Sequence, residues 1–294
     1  MAVYNNKLAS NLLTVVSIII FTVVLVINYL ASEGPTGPFK FLHNTSRALS
    51  DKYNLEITPA PWTFGITWGT IFAWQAVWLL YSLSFLCRSD IVVLTPVFFI
   101  FYNLANIGNA SWVFVFGTEM INLAFAVLLL IQVFLCAALT VLYRQIRQLE
   151  GGKLPKGDFI AIQALIINGL AFYTTWVSIA TLLNFGIVLT FTAGVEDKNS
   201  STITLSILAV EIIVWYVMDL VVFNSMTKYT ISPWVVLIVA LVGSIDKNYV
   251  AYERNSIFTL VLLCVVAVLA FTRLVIFVFT IFQRRNVKSQ NLQK

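Results

Sequence analysis

The run Leu12-Leu13-Thr14-Val15-Val16-Ser17-Ile18-Ile19-Ile20-Phe21-Thr22-Val23-Val24-Leu25-Val26-Ile27-Asn28-Tyr29-Leu30 decides the class of fold. It carries no charged side chain, and its nineteen residues come close to the roughly 20 that a helix rising 1.5 Å per residue needs to cross ~30 Å of hydrocarbon. A secretory signal has a shorter apolar core of about 7–15 residues behind a basic flank. Only Lys7 precedes this run, which therefore reads as a retained helix, although Ala31-Ser32 would suit a signal peptidase.

Outward from this helix, placed at about 11–31, seven more apolar windows follow at about 64–88, 91–117, 119–143, 159–189, 203–224, 230–245 and 256–283. The seventh of the eight is short and opens at Ser232-Pro233, where proline suits a first helical turn because its missing N–H would have had no partner. The composition agrees. Of 294 residues 60% are hydrophobic and 11% charged, with a mean hydropathy of +0.90, whereas soluble domains carry about 25% charged residues. Strands of a transmembrane barrel would alternate apolar with polar residues, and these windows do not. The expected fold is all-α, a polytopic transmembrane bundle of about eight helices, with the lipid bilayer as its first partner.

Composition also removes chemistries. One histidine, His43, and three cysteines, Cys87, Cys136 and Cys264, are too few for a zinc, haem or iron–sulfur site, so neither metal nor cofactor is expected. The cysteines fall in apolar windows and read as small buried hydrophobes. Intramembrane hydrolysis would need a serine beside a histidine or lysine, or two facing aspartates. His43 lies in a loop and Asp219 is the only aspartate in a window, so no enzyme is expected. The net charge of +5 gathers on no face that would collect phosphates, which argues against a nucleic-acid partner.

Charge sets the orientation instead. An even number of crossings puts both termini on one side. Lys7, Arg88, Arg144, Arg147, Lys153, Lys156, Lys228, Arg284, Arg285, Lys288 and Lys294 share that side, eleven in all. Lys40, Arg47, Lys52, Lys198, Lys247 and Arg254, six in all, fall opposite among eight acidic residues. Cytoplasmic loops are enriched in lysine and arginine, so both termini are expected in the cytoplasm. Asn44-Thr45-Ser46 and Asn199-Ser200-Ser201 are N-glycosylation sequons, and both fall on the outer side. They point to a secretory-pathway or plasma membrane rather than a mitochondrial one. A third sequon, Asn109-Ala110-Ser111, lies inside a helix beyond the transferase.

Tryptophan crowds the second window. Phe64, Trp68 and Phe72 recur every four residues on one helical stripe, and Trp74, Trp78, Tyr81 and Phe85 occupy another. An interfacial aromatic belt accounts for Trp62 but not for Trp74 and Trp78, which lie too deep. In Trp62-Thr63-Phe64-Gly65-Ile66-Thr67-Trp68, behind Thr58-Pro59-Ala60-Pro61, the chain resembles the tryptophan-rich sensory protein family, the TspO/MBR or translocator-protein group. Two further runs carry the resemblance in the family's order: Asn109-Ala110-Ser111-Trp112 with Phe116-Gly117, and Tyr173-Thr174-Thr175-Trp176-Val177-Ser178-Ile179-Ala180-Thr181-Leu182-Leu183-Asn184. Leu49-Ser50-Asp51-Lys52-Tyr53 is similar to the approach found in its longer branch. The likeness spans about residues 10–190, so the short members' dimer interface and mitochondrial location are not carried over.

The resemblance implies a five-helix core at 1–190; the remaining windows give three additional helices at 191–283, and the basic residues give a cytoplasmic tail at 284–294. It also implies a porphyrin or sterol ligand among the five helices, held by Trp62, Phe64, Trp68, Asn109, Trp112, Trp176, Ala180 and Asn184, with the Trp62–Trp78 segment as one wall. Indole suits such a ligand because it offers a flat apolar face and one N–H donor. Asn103, Asn106 and Asn109 recur every three residues, and amides at that depth must meet another helix, water or ligand.

Three charges stand within windows, where each costs at least ~2.5–3.5 kcal/mol and so calls for a partner or a task. Asp219 and Arg273 fall at similar depth and are expected to form an ion pair. Glu211, two turns before Asp219 on the same stripe, is left over. It supports a rival reading, a proton- or ion-coupled transporter with Glu211 as coupling site, against which stands the lack of an internal repeat.

Overall fold

Proline and threonine mark the points where polar loops pass into helices. In the computed structural model, which describes residues 2–88, 92–149 and 154–291, α1 spans Ala2–Ala31 and the short α2 spans Ser46–Lys52. The Thr45 hydroxyl caps α2 by accepting from the Ala48 N–H at 3.1 Å, which satisfies one of the free donors of a helix start. Pro61 opens α3 (Pro61–Leu83), and Thr95-Pro96 opens α4 (Pro96–Gly117) with the same kind of hydroxyl cap. A tight turn through Glu119, at φ 62, leads into α5 (Ile121–Leu149). Helix α6 runs from Lys156 to Thr192 through π turns at Ile162–Ile167 and Val188–Thr192. Helix α7 (Asp197–Val217) ends in a π turn at Met218–Val222; α8 is Ser232–Asn248 and α9 is Arg254–Asn291.

The eight windows thus become eight long helices, and no strand occurs among the described residues. Six of the helices, α1, α4, α5, α6, α7 and α9, are long and apolar enough to cross a membrane. The other two miss that description. Helix α3 is diluted by tryptophan, glycine, threonine and glutamine, and α8 has only 17 residues. Both pack against other helices, α3 against α1, α6 and α8, and α8 against α6 and α9. The expected tail is helical as far as Asn291; residues 292–294, and Lys153 of the basic set, lie outside the described residues.

Loops meet by end, as alternate crossings require. At one end His43 N–H donates to the Gly117 carbonyl (3.0 Å), Asn255 Nδ2 to Glu56 Oε2 (2.6 Å), and Lys247 faces Asp51 (3.8 Å). Far from these, Arg88 pairs with Asp158 (2.8 Å), and Asn168 Nδ2 donates to the Tyr229 carbonyl (2.9 Å).

In lipid the hydrophobic effect does not drive one helix onto another, so close fit must hold the bundle. Glycine supplies it at the tightest crossings. A Cβ on Gly108 of α4 would stand 2.7 Å from Ile131 of α5, and one on Gly243 of α8 would strike the Thr63 hydroxyl of α3. Helix α6 occupies the centre: sixteen of the twenty residues in Asn168–Ile187 are buried, against α5, α7, α3 and α8. The cysteines correct the sequence reading. All three are exposed, because the outside of a membrane bundle is as apolar as its inside and an apolar window does not say which way a side chain points.

Candidate ligand-binding site

Three helical stripes converge beneath α2. Phe64, Trp68 and Phe72 come from α3, Asn109, Trp112 and Phe116 from α4, and Trp176, Ala180 and Asn184 from α6. Each set recurs at three- or four-residue spacing, so each lies on one side of its helix. Between them is a cavity of about 870 Å³. Leu128 and Ile131 of α5 and Leu25, Asn28 and Tyr29 of α1 complete the wall. Thr45, Ser46, Arg47, Ser50 and Asp51, at and within α2, lie across one end.

The rings brace one another. Phe64 meets Trp176 edge-on at 5.5 Å, Trp68 stacks on Phe72 at 5.4 Å, and Trp112 stacks on Phe116 at 4.9 Å. Three buried polar atoms on lining residues have no hydrogen-bond partner in the protein: Trp112 Nε1, Trp176 Nε1 and Asn184 Oδ1. These three atoms have almost no accessible surface of their own and lie behind a wall that is apolar and aromatic. Such a surface suits a flat apolar molecule bearing a few polar atoms.

Of the eight residues named from the sequence for this role, Phe64, Trp68, Asn109, Trp112, Trp176, Ala180 and Asn184 line the cavity. Trp62 does not. It is 41% exposed, and its Nε1 donates to Asp246 of α8 at 2.8 Å, which fits the interfacial place that its depth suggested. The far half of the Trp62–Trp78 segment also lies elsewhere. Trp74 covers Gly169 of α6, and Trp78 is fully buried against Phe98 and Tyr102 with its Nε1 donating to Gln75 Oε1 at 2.6 Å. Asn109 has two roles, since its Oδ1 accepts from Asn28 Nδ2 of α1 at 3.0 Å while the residue lines the cavity. Asn103 and Asn106 are buried outside the lining.

Sequence reasoning missed the share of α1 and of the loop that contains α2. An amide inside an otherwise apolar run, Asn28, was the available signal for α1.

One network fastens the end of α2. The Glu119 carboxylate receives Lys52, the Tyr53 hydroxyl (2.6 Å) and, at 3.5 Å, Asn44 Nδ2. The hydrogen bond from Lys52, then that from Tyr53, holds the Glu119 carboxyl below its ordinary value of 4.5. Asn44 is half-buried beside it, and Asn199 is exposed in the first turn of α7 at the same end.

The intramembrane charges stand away from the cavity. Arg273 and Asp219 have side chains 0% and 1% exposed and meet through Nε and Oδ2 (3.0 Å) and through Nη2 and Oδ1 (3.1 Å). Arg273 Nη2 also donates to the Thr227 carbonyl at 2.5 Å, which ties α9 to the turn after α7. Glu211 is outside the cavity lining, and its Oε2 accepts from the Ser178 hydroxyl of α6 at 2.8 Å.

Fold and cavity together define a multi-pass helical membrane protein enclosing an aromatic chamber. The family model described as TSPO-like protein matches residues 14–286, and the chain belongs to that family. The match continues past residue 190 and takes in α7, α8 and most of α9. No curated protein and no solved structure matches the chain.

Proposed function

We propose that this protein binds a flat, mostly apolar molecule of the porphyrin or sterol class in the chamber below α2 and acts as a sensor or translocator of it rather than as an enzyme. The carrying observation is the convergence of three aromatic stripes on one cavity of about 870 Å³, within the roughly 300–1,000 Å³ common for ligand sites. Among the lining residues only Lys247 comes from beyond residue 190, which favours residues 1–190 as the binding unit and 191–283 as its support. The basic residues at 284–294 and the loop charges favour cytoplasmic termini, and the sequons at Asn44 and Asn199 favour glycosylation in a secretory-pathway or plasma membrane. Coupled transport through Glu211 stands second, because a coupling carboxylate belongs in the substrate's path and Glu211 lies outside the lining.

The test is saturable quenching of tryptophan fluorescence by a porphyrin and by a sterol in purified protein. Quenching that saturates in wild type and weakens in Trp68→Ala and Trp176→Ala supports the reading. Quenching that does not saturate, or that both variants leave unchanged, ends it.

A further inference from the structure

Glu211 lies fourteen residues from Asp197 and ten from Val221 along a membrane-length helix, about 21 Å and 15 Å at 1.5 Å per residue. Its carboxyl group is therefore near mid-membrane, and the residue is exposed on the outer surface of the bundle. Among the described residues one hydrogen bond reaches it, from Ser178. Ser178 is one of only four residues of Asn168–Ile187 that are not buried, so α6 comes to the surface here between α5 and α7, against both of which it packs, and we read this opening as a furrow.

The opposite wall is polar at the same level. Cys136 of α5, exposed like Glu211, lies fifteen residues from Ile121, about 22 Å at 1.5 Å per residue and so at the level of Glu211. Gln132, one turn away, donates only to the Cys136 sulfur at 3.5 Å, and its Oε1 has no partner. Exposed Leu129, Val133 and Val214 flank these groups with apolar surface. The other intramembrane charges, Asp219 and Arg273, satisfy one another, and among the described residues no cation pairs with Glu211. A carboxyl group at this depth calls for a partner or a task.

We infer that the furrow between α5 and α7 binds an ammonium group carried on an apolar body that arrives sideways from the bilayer. Glu211 meets the charge, and the apolar walls hold the body. Depth fixes the chemistry further. A phospholipid amine would have to bring its phosphate to mid-membrane, so the ligand is a phosphate-free amine, either a single-chain lipid base or a rigid polycyclic amine. This site shares no lining residue with the chamber and does not rest on the chamber's function.

The test uses the full chain in phosphatidylcholine nanodiscs with a diazirine-bearing hexadecylamine and the matching hexadecanol. The amine is expected to label peptides containing residues 129–140 or 207–218 at least tenfold more than the alcohol, with Glu211→Gln falling to the alcohol's level. Competition by unlabelled hexadecylamine or by a polycyclic tertiary amine supports the site and assigns its source. Equal labelling by amine and alcohol in the wild type, which needs no variant to fold, overturns the inference. So does competition by neither amine, or protection only by a transmembrane peptide bearing lysine. Excess porphyrin is expected to leave the labelling unchanged, and suppression by it would overturn the separation of the two sites.

Discussion

Gly65 allows ligand binding to be separated from folding. It lines the chamber on α3, and a Cβ built there meets no atom within 4 Å. Alanine at this position touches nothing and removes the extra freedom of glycine in the unfolded chain, a gain of about 0.5–1 kcal/mol. Leucine projects into the space that the ligand would fill. Forcing extra methylenes into a filled site costs about 1–3 kcal/mol, which at 1.4 kcal/mol per tenfold is about a 5- to 150-fold rise in Kd. Gly169→Leu is the control. There a Cβ would stand 2.8 Å from the Trp74 ring, so the loss falls on stability instead. Thermal unfolding and fluorescence titration of the same preparations give both quantities. A Gly65→Leu protein that melts like wild type and binds porphyrin and sterol with unchanged Kd would refute the chamber as the ligand's place.

Arg273→Met leaves Asp219 buried and unpaired and is expected to cost about 3–5 kcal/mol, whereas Asp219→Leu with Arg273→Met recovers most of that loss; denaturant unfolding of the single and double variants checks it. Glu119 holds α2 more firmly as a carboxylate. Its carboxyl is depressed below 4.5, so the contribution is complete above that value and lost as the pH falls through the lower folded one. The difference in melting temperature between wild type and Glu119→Gln should therefore shrink between pH 6 and pH 3. Treatment with a glycosidase should shift the wild-type band, and Asn44→Gln with Asn199→Gln should abolish the shift.

Periodicity made the helices and the three stripes legible. Phe64, Trp68 and Phe72 could be placed on one side of α3 without coordinates because helical spacing leaves little choice. The same spacing does not say which stripe faces the chamber and which the core, which is why Trp74 and Trp78 read as lining in the sequence and lie in the core of the fold. Helix ends moved where a cap decided them: Pro61 and Thr95 start α3 and α4 at positions that apolar windows blur. Helix α2 was missed because seven residues of which only Ala48 and Leu49 are apolar show no apolar period, and its signal was only the capping threonine. The exposure of the cysteines was beyond the sequence, since a membrane helix is apolar on both its inner and its lipid face.

The enclosure of α6 bears on how this chain tolerates change. A helix at the edge of a membrane bundle has one side where any apolar residue will serve, and that side is free to drift. Helix α6 has almost none: Trp176, Ala180 and Asn184 line the chamber, Gly169 lies under Trp74, and Ser178 reaches Glu211. Nearly every exchange along Asn168–Ile187 must be answered by a second exchange on α3, α5, α7 or α8. Random mutagenesis should therefore find its fewest neutral single substitutions in this segment, and its compensating pairs should radiate from it.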